Sequence, residues 1–235
     1  MQLSKIRIKN YRLLIDAELE VDPKTTLIVG RNNTAKTSCF SCIGKVLDGE
    51  TVSFDDYPLL RREDFYTKIA LFMEKKLTYE DLCKQIKIIS IEFLVDYSLD
   101  DPDDNLGALS PFIIDVDVDT TTALIRAEYR LKSDEKTLWT LLESSYYKDG
   151  AFSPSEDAHK VLGLTVYAIN PNNPDDKQVK SQKELHDLFP FHAIPAERVL
   201  GEDDAHNSSL GSLISSFFDM SEAELDPDVA EEIKR

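Results

Sequence analysis

The sequence predicts an α/β fold in which a β-hairpin and a strand–loop–helix unit adjoin a mostly antiparallel sheet with peripheral helices. Residues 3–9 and 13–21 alternate apolar with polar or charged side chains, which predicts two half-buried strands joined by a tight turn at residues 10–12. Residues 25–47 contain a strand-like run, a loop with a glycine and a segment of helical periodicity, in that order. Several later segments are rich in β-branched and aromatic residues and are bounded by turn-forming residues.

The strand before the loop is predicted at residues 25–29. The helix after it is predicted at residues 36–47, where apolar side chains recur at helical spacing until Asp48 and Gly49. A longer helical tract is predicted at residues 59–85 by the same criterion. A meander of strands is then predicted at residues 86–97, 112–118, 123–131, 138–147 and 161–169.

Residues 99–104 and 170–178 are rich in Asp, Asn and Pro, which predicts exposed loops. Neither is long enough to divide the chain, so residues 1–220 are predicted to form one lobe that ends in a helix at residues 208–220. An acidic helical tail is predicted at residues 221–235, starting at a capping box of Ser221 and Glu224. We expect this tail to begin a missing or separate segment, which implies a truncated chain or a split gene.

Charge and hydropathy argue against a DNA-binding surface and against a membrane-spanning segment. The chain has 235 residues, with 44 acidic and 27 basic side chains and a formal net charge of −17. Such a surface repels phosphate backbones, so we expect contact with DNA only through other domains. No run approaches the roughly 20 apolar residues that a membrane span needs, and no signal-peptide pattern is present. We therefore expect a cytoplasmic protein.

Cysteine and histidine usage argues against metal chemistry by side chains alone. The three cysteines, Cys39, Cys42 and Cys83, are an odd number without a disulfide pattern, which favours a reducing compartment. Cys39 and Cys42 form a C-x-x-C pair, but their spacing places both on one face of the predicted helix, where packing is the simpler explanation. The four histidines lack ligand spacing.

The loop at residues 29–38 carries the chemical signal. The phosphate-binding pattern requires Gly, four free residues, Gly, Lys and then Ser or Thr; Gly30, Lys36 and Thr37 match it, and Ala35 stands at the second glycine. Amides of such a loop surround a β-phosphate, and the helix N-terminus adds its dipole. The candidate nucleotide-binding residues of the loop are Gly30, Asn32, Asn33, Thr34, Ala35, Lys36, Thr37 and Ser38.

The expected ligands are ATP and Mg²⁺. Lys36 is expected to bridge β- and γ-phosphate oxygens, Thr37 to ligate Mg²⁺ through its hydroxyl, and Ser38 to donate toward the α-phosphate. Ala35 weakens the match, because the glycine before the lysine often has a backbone conformation that a Cβ disfavours by on the order of 1–3 kcal/mol. That strain corresponds to an affinity about ten- to a hundredfold lower.

Residues 6–12 and 27–38 together resemble the opening of the ABC-type ATPases of the RecF, SMC and OLD (overcoming lysogenization defect) families. The match is closest to OLD-like ATP-dependent nucleases and Gabija-type antiphage ATPases, whose loops often have the pattern G-x-N-N-x-G-K-T-S. The resemblance implies the N-terminal lobe of a P-loop ABC-type ATPase and places Arg12 in an Asn-aromatic-Arg turn near the nucleotide. From the residues alone, Arg12 could equally be a surface arginine. Residues 192–198 are similar to an Ile-Pro-Ala-x-Arg stretch of these proteins.

The resemblance covers the first lobe only. Hydrolysis in such ATPases needs a second lobe with a Ser-Gly-rich signature, an apolar strand ending in Asp-Glu and a switch histidine, and OLD proteins add a Toprim nuclease domain. Residues 112–115 are apolar and end in Asp115, but Val116 follows, so a meander strand is the simpler prediction. Gln85 is a candidate metal-facing glutamine, in competition with Gln178 and Gln182.

Two functions follow as expectations. The first is an ATP-binding lobe that gates DNA cleavage or processing, in antiphage defence, as a homo-oligomer completed by a second ATPase lobe or nuclease domain in the same or a separate chain. The alternative is a degenerate interaction or regulatory module that binds nucleotide weakly without hydrolysis, which Ala35 and the acidic composition motivate. A small-molecule kinase would need a basic lid and an acceptor pocket, and neither is evident in the sequence.

Overall fold

The computed structural model describes residues 1–31, 34–98, 106–115, 120–131, 134–145, 147–148, 151–152 and 162–193. Two compact units are formed by Met1–Phe191 and His192–Arg235, and the described residues belong to the first apart from His192 and Ala193. The loop predicted at residues 99–104 and the helices predicted at residues 208–220 and 221–235 lie outside the described residues. So do Asn32, Asn33 and most of residues 192–198.

A six-stranded antiparallel sheet forms the centre of the first unit, in the order β2-β1-β3-β4-β7-β8. A separate pair of short strands, β5 and β6, is antiparallel as well. The strands are β1 (Gln2–Tyr11), β2 (Leu14–Glu20), β3 (Ile89–Asp96), β4 (Thr122–Leu131), β5 (Tyr147–Lys148), β6 (Ala151–Phe152), β7 (Leu162–Asn170) and β8 (Asn173–Lys180).

The helices follow the hairpin or connect the later strands. They are α1 (Lys36–Leu47), α2 (Leu59–Met73), α3 (Tyr79–Gln85), α4 (Glu135–Ser145) and α5 (Gln182–Leu188), with 3-10 turns at Phe54–Asp56 and Gly107–Phe112. No helix in the described part of the chain is long and apolar enough to cross a membrane.

The two faces of the sheet differ in chemistry because side chains alternate along each strand. On one face, Ile8, Ile91 and Ile125 are buried, and they share one core cluster with Cys42 and Val46 of α1. The other face carries cross-strand ion pairs: Lys5 to Glu18 at 2.7 Å, Arg7 to Asp16 at 2.8 Å and Arg126 to Glu92 at 2.8 Å. The apolar face therefore anchors α1, the helix that follows the loop.

Several predictions from periodicity are confirmed. The hairpin forms as β1 and β2, and α1 has the predicted bounds, Lys36–Leu47. The strands predicted at residues 86–97, 123–131 and 161–169 correspond to β3, β4 and β7.

Three strand predictions are wrong. Residues 25–29 contain no strand, because no other described strand pairs with them. In the strand predicted at residues 112–118, Phe112 ends a 3-10 turn that includes Pro111, residues 113–115 have no regular structure, and residues 116–118 lie outside the described residues. Most of residues 138–147 lie in helix α4, whose Leu138 and Leu142 are both buried one helical turn apart.

One helix boundary and two further elements also differ from the prediction. The helical tract at residues 59–85 is two helices, since Lys75 has a positive φ of 58° and Thr78 caps α3 by accepting a hydrogen bond from the Asp81 amide. Most of the loop predicted at residues 170–178 is the edge strand β8, whose polar side chains give no apolar alternation. Helix α5 was not predicted, although Ser181 and Glu184 form its capping box.

Truncating the centre of the apolar face tests this packing. Ile125 of β4 is fully buried, so Ile125→Ala should lower the free energy of unfolding by about 2–5 kcal/mol. Val179→Ala on β8 is the matched control: its side chain is 69% exposed, and the change should stay within about 0.5 kcal/mol. Urea denaturation measures both. Equal losses for the two variants would contradict the assignment of the core face.

Candidate nucleotide-binding site

The start of helix α1 presents backbone amides without a competing side chain. Ala35 is the N-cap residue, and its side chain makes no capping hydrogen bond. The first turn contains no acidic residue and begins with Lys36. The first amides of a helix have no partner within the helix, and they carry the positive end of its dipole. This helix end therefore suits an anion.

Ala35 has the backbone conformation on which the strain argument depends. Its φ is 65° and its ψ is 9°, which is the left-handed helical region. A side chain with a Cβ is disfavoured there by roughly 1–2 kcal/mol, and glycine is not. The position therefore has the conformational requirement of the second glycine in the loop pattern, although alanine occupies it.

Short contacts hold the two ends of the loop together. The Lys36 ammonium donates to the carbonyl oxygens of Gly30 and Arg31, the latter at 2.6 Å. The Thr34 hydroxyl donates to the Arg31 carbonyl at 2.7 Å. A Cβ on Gly30 would lie 2.6 Å from the Thr34 hydroxyl oxygen, so a larger residue there would displace the Thr34 side chain. The loop thus closes around the lysine that is expected to contact phosphate.

The two hydroxyl residues after Lys36 have different environments. Thr37 is exposed in the first turn of α1, where its hydroxyl is available to a ligand. Ser38 is buried, with 8% of its surface exposed. Little of Ser38 is therefore accessible for the expected contact with an α-phosphate. Thr37 is the better placed of the two.

Arg12 is held in the turn of the hairpin, beside α1. Its φ is 49°, and its guanidinium carbon lies 5.2 Å from the ring centroid of Tyr11. Tyr11 is fully buried, and its hydroxyl shares a hydrogen bond of 2.9 Å with the Ser41 hydroxyl of α1. Arg12 also pairs with Asp56 at 2.9 Å. It is therefore a fixed residue of the turn and not an unconstrained surface arginine.

Asp56 is a residue of this region that sequence reasoning missed. Burial by itself would raise the pKa of its carboxyl group, but the Ser53 amide, Lys45 and Arg12 outweigh that effect and hold the pKa below its ordinary value. The group is therefore an anion at neutral pH. No motif marks it in the sequence; the only signal is an acidic turn, Phe54–Asp56, between a helix and Tyr57.

The candidate glutamines do not join the loop. Gln85 is the exposed last residue of α3, and no hydrogen bond links it to the described loop residues. Gln182 donates to the carbonyls of Val46 at 2.7 Å and Leu47 at 3.1 Å, so it caps the opposite end of α1. Gln178 lies on the edge strand β8. None of the three makes a hydrogen bond with a described residue of the loop.

The cysteines pack as predicted. Cys42 is buried and Cys39 is partly buried on α1, and burial raises the pKa of both thiols. Both therefore remain neutral and behave as apolar side chains. No cluster of three or more His, Cys, Asp or Glu suitable for a metal occurs among the described residues.

Replacing Ala35 tests the strain in the loop. Ala35→Gly relieves the left-handed penalty, which the larger entropy of an unfolded glycine partly offsets, so the free energy of unfolding should stay equal or rise by up to about 1 kcal/mol. The matched control is Ala70→Gly inside α2, which should lose about 1 kcal/mol. Denaturation midpoints compare the two. A loss at Ala35 as large as that at Ala70 would contradict the strain.

Comparison with known proteins agrees with this geometry. A family model described as AAA ATPase domain matches residues 1–210, which is most of the chain. No curated protein matches the sequence. The matched region includes the loop, helix α1 and the whole antiparallel sheet. Members of this family generally bind ATP with Mg²⁺. The uncapped start of α1, together with Lys36 and Thr37, fits those ligands. The chain belongs to the AAA ATPase domain family, a family of P-loop ATPases.

Proposed function

We propose that this chain is the ATP-binding lobe of an OLD/RecF-like ATPase, whose nucleotide state gates DNA cleavage or processing in antiphage defence. The observation that carries the proposal is the start of α1, where the left-handed Ala35 and Lys36 adjoin amides without a capping side chain. The likeness of residues 6–12 and 27–38 to OLD-like and Gabija-type proteins supports the choice among P-loop ATPases. DNA contact is assigned to other domains because the chain has a net charge of −17.

We assign roles in holding the triphosphate to the start of α1, to the side chains of Lys36 and Thr37, and to Arg12. The amides at the start of α1 donate to phosphate oxygens, and Lys36 exchanges its carbonyl partners for β- and γ-phosphate oxygens. Thr37 supplies the hydroxyl ligand for Mg²⁺. When bound, this ion would supply positive charge that offsets the charge of the phosphates. Arg12 adds a cation from the hairpin turn.

Hydrolysis needs groups beyond these residues. In the described part of the loop, the Thr34 hydroxyl and the Lys36 ammonium donate to backbone carbonyls. Hydrolysis also requires a residue that orients the attacking water. A second ATPase lobe or nuclease domain, in the same longer chain or a separate one, is proposed to supply it. The binding energy of ATP would then favour the state in which the two lobes contact each other.

An exposed segment before the loop is a suitable surface for that second lobe. Leu27 is 80% exposed and Val29 is 77% exposed. Residues 27–29 make no hydrogen bond with the described part of the chain, so their backbone is available to another strand. Phe40 of α1 is exposed as well. We propose that the chain forms a homo-oligomer through this exposed surface.

Removing the loop ammonium tests nucleotide binding. Lys36→Met deletes charged hydrogen bonds worth about 1.5–3 kcal/mol, so the Kd for MgATP should rise roughly ten- to a hundredfold. Lys24→Met, in the exposed turn before the loop, makes the same charge change and should leave the Kd unchanged. Calorimetric titration measures both. Absence of MgATP binding by the unmodified protein, or equal Kd values for the two variants, would reject the proposed site.

A degenerate regulatory module is the second candidate, and alanine at position 35 is the observation that favours it. Because Ala35 has the left-handed conformation in this structure, the strain lowers the stability of the fold more than the affinity. The Kd of Ala35→Gly for MgATP should therefore lie within about threefold of the unmodified value. A Kd lowered by about ten- to a hundredfold in Ala35→Gly would favour the degenerate module.

A further inference from the structure

Asp56 is a buried carboxylate that collects donors from three separate segments of the chain. It is 1% exposed. One oxygen, Oδ1, accepts a hydrogen bond from Arg12 Nε at 2.9 Å and forms an ion pair with Arg12 Nη2, also at 2.9 Å. The other, Oδ2, accepts from the Ser53 amide at 2.9 Å and the Lys45 ammonium at 3.1 Å. The Ser53 hydroxyl also donates to Oδ2, at 3.2 Å. Both oxygens therefore have partners.

Neutralising the charge of the Asp56 carboxylate does not require the contact with Arg12. Lys45 and Ser53 already provide a cation and two donors for the buried carboxylate. Arg12 is tied to the same residue a second time, since its backbone amide donates to the Asp56 carbonyl at 2.6 Å. This double contact accompanies a left-handed Arg12, whose φ of 49° is costly for a residue other than glycine. The arrangement fixes both the backbone and the guanidinium.

The Arg12 guanidinium has N–H groups that Asp56 does not use. Arginine has five N–H groups; the Nε–H donates to the Asp56 carboxylate, and Nη2 forms an ion pair with the same oxygen at 2.9 Å. The remaining N–H groups form no hydrogen bond in the described part of the chain, and 38% of the side chain is exposed. Arg12 is thus oriented by a buried anion while part of its fork faces outward. That is the geometry of a preformed contact for phosphate oxygens.

Contacts of Tyr11 and Asp56 place this guanidinium beside the face of α1 that carries Ser41 and Lys45. Thr37, Ser41 and Lys45 are spaced by four residues and lie along one stripe of the helix. Tyr11 bonds Ser41 on that stripe, and Asp56 bonds Lys45 on it. Arg12 contacts both Tyr11 and Asp56, so it lies beside the part of this stripe that carries Ser41 and Lys45.

We propose that Asp56 is a positioning residue of the nucleotide site, which holds the Arg12 guanidinium over helix α1 for contact with the phosphates of a nucleoside triphosphate. The inference rests on the proposed function. It predicts that Asp56 affects nucleotide affinity only through Arg12.

A double-mutant cycle on the whole chain tests this dependence, with MgATP as the probe. Arg12→Ala and Asp56→Asn should each raise the Kd roughly tenfold, and the double variant should bind no more weakly than Arg12→Ala alone. Asp55→Asn is the matched control, since it makes the same change at a neighbouring aspartate that is 83% exposed, and its Kd should not change.

The outcomes separate this inference from the function on which it rests. No MgATP binding by the unmodified protein would reject the proposed function and the inference with it. Normal binding with an unchanged Kd in either single variant, or an equal further loss from Asp56→Asn in the Arg12→Ala background, would overturn the inference alone. If Asp56→Asn does not fold, Arg12→Lys replaces it: lysine keeps the charge but lacks the fork, and an affinity near the unmodified value would overturn the positioning role.

Discussion

A single buried carboxylate, that of Asp56, joins the parts of the molecule that form the candidate site. The hairpin turn reaches it through Arg12, and helix α1 reaches it through Lys45. A buried anion without partners would be destabilised by several kcal/mol, so the partners have to be in place when the chain folds. The same contacts that satisfy Asp56 therefore set the position of the turn relative to helix α1, which directly follows the nucleotide loop.

The antiparallel sheet contributes the rigidity that this arrangement needs. Its apolar face packs on Cys42 and Val46 of α1, while the opposite face is covered with ion pairs between neighbouring strands. The packed side of α1 holds the axis of the helix, and the first turn remains accessible with Thr37 exposed. The exposed Leu27 and Val29 on the other side of the loop indicate where a second lobe is proposed to add to this frame.

Local patterns in the sequence predicted the parts of the fold that depend on local interactions. The hairpin and α1 follow from clear periods of two and of 3.6 residues. Residues 25–29 have the composition of a strand, but strand formation depends on a neighbour, and no described strand provides one. The apolar and aromatic content around Leu138 predicts a strand, although the Asp134 carboxylate accepts a hydrogen bond from the Thr137 amide at 3.0 Å, as a helix N-cap does. The loop and its left-handed position were predictable from one motif, whereas Asp56 was not, because its partners Arg12 and Lys45 are distant from it in the sequence.

The central claim is that MgATP binds at the loop and the first turn of α1, beside the turn that contains Arg12. Amide hydrogen exchange, followed by mass spectrometry with and without MgATP, measures this directly because bound phosphates protect the amides that donate to them. The account predicts slower exchange for peptides that cover residues 34–40 and 10–13, and little change in β8. Unchanged exchange in both peptides at saturating MgATP would contradict it.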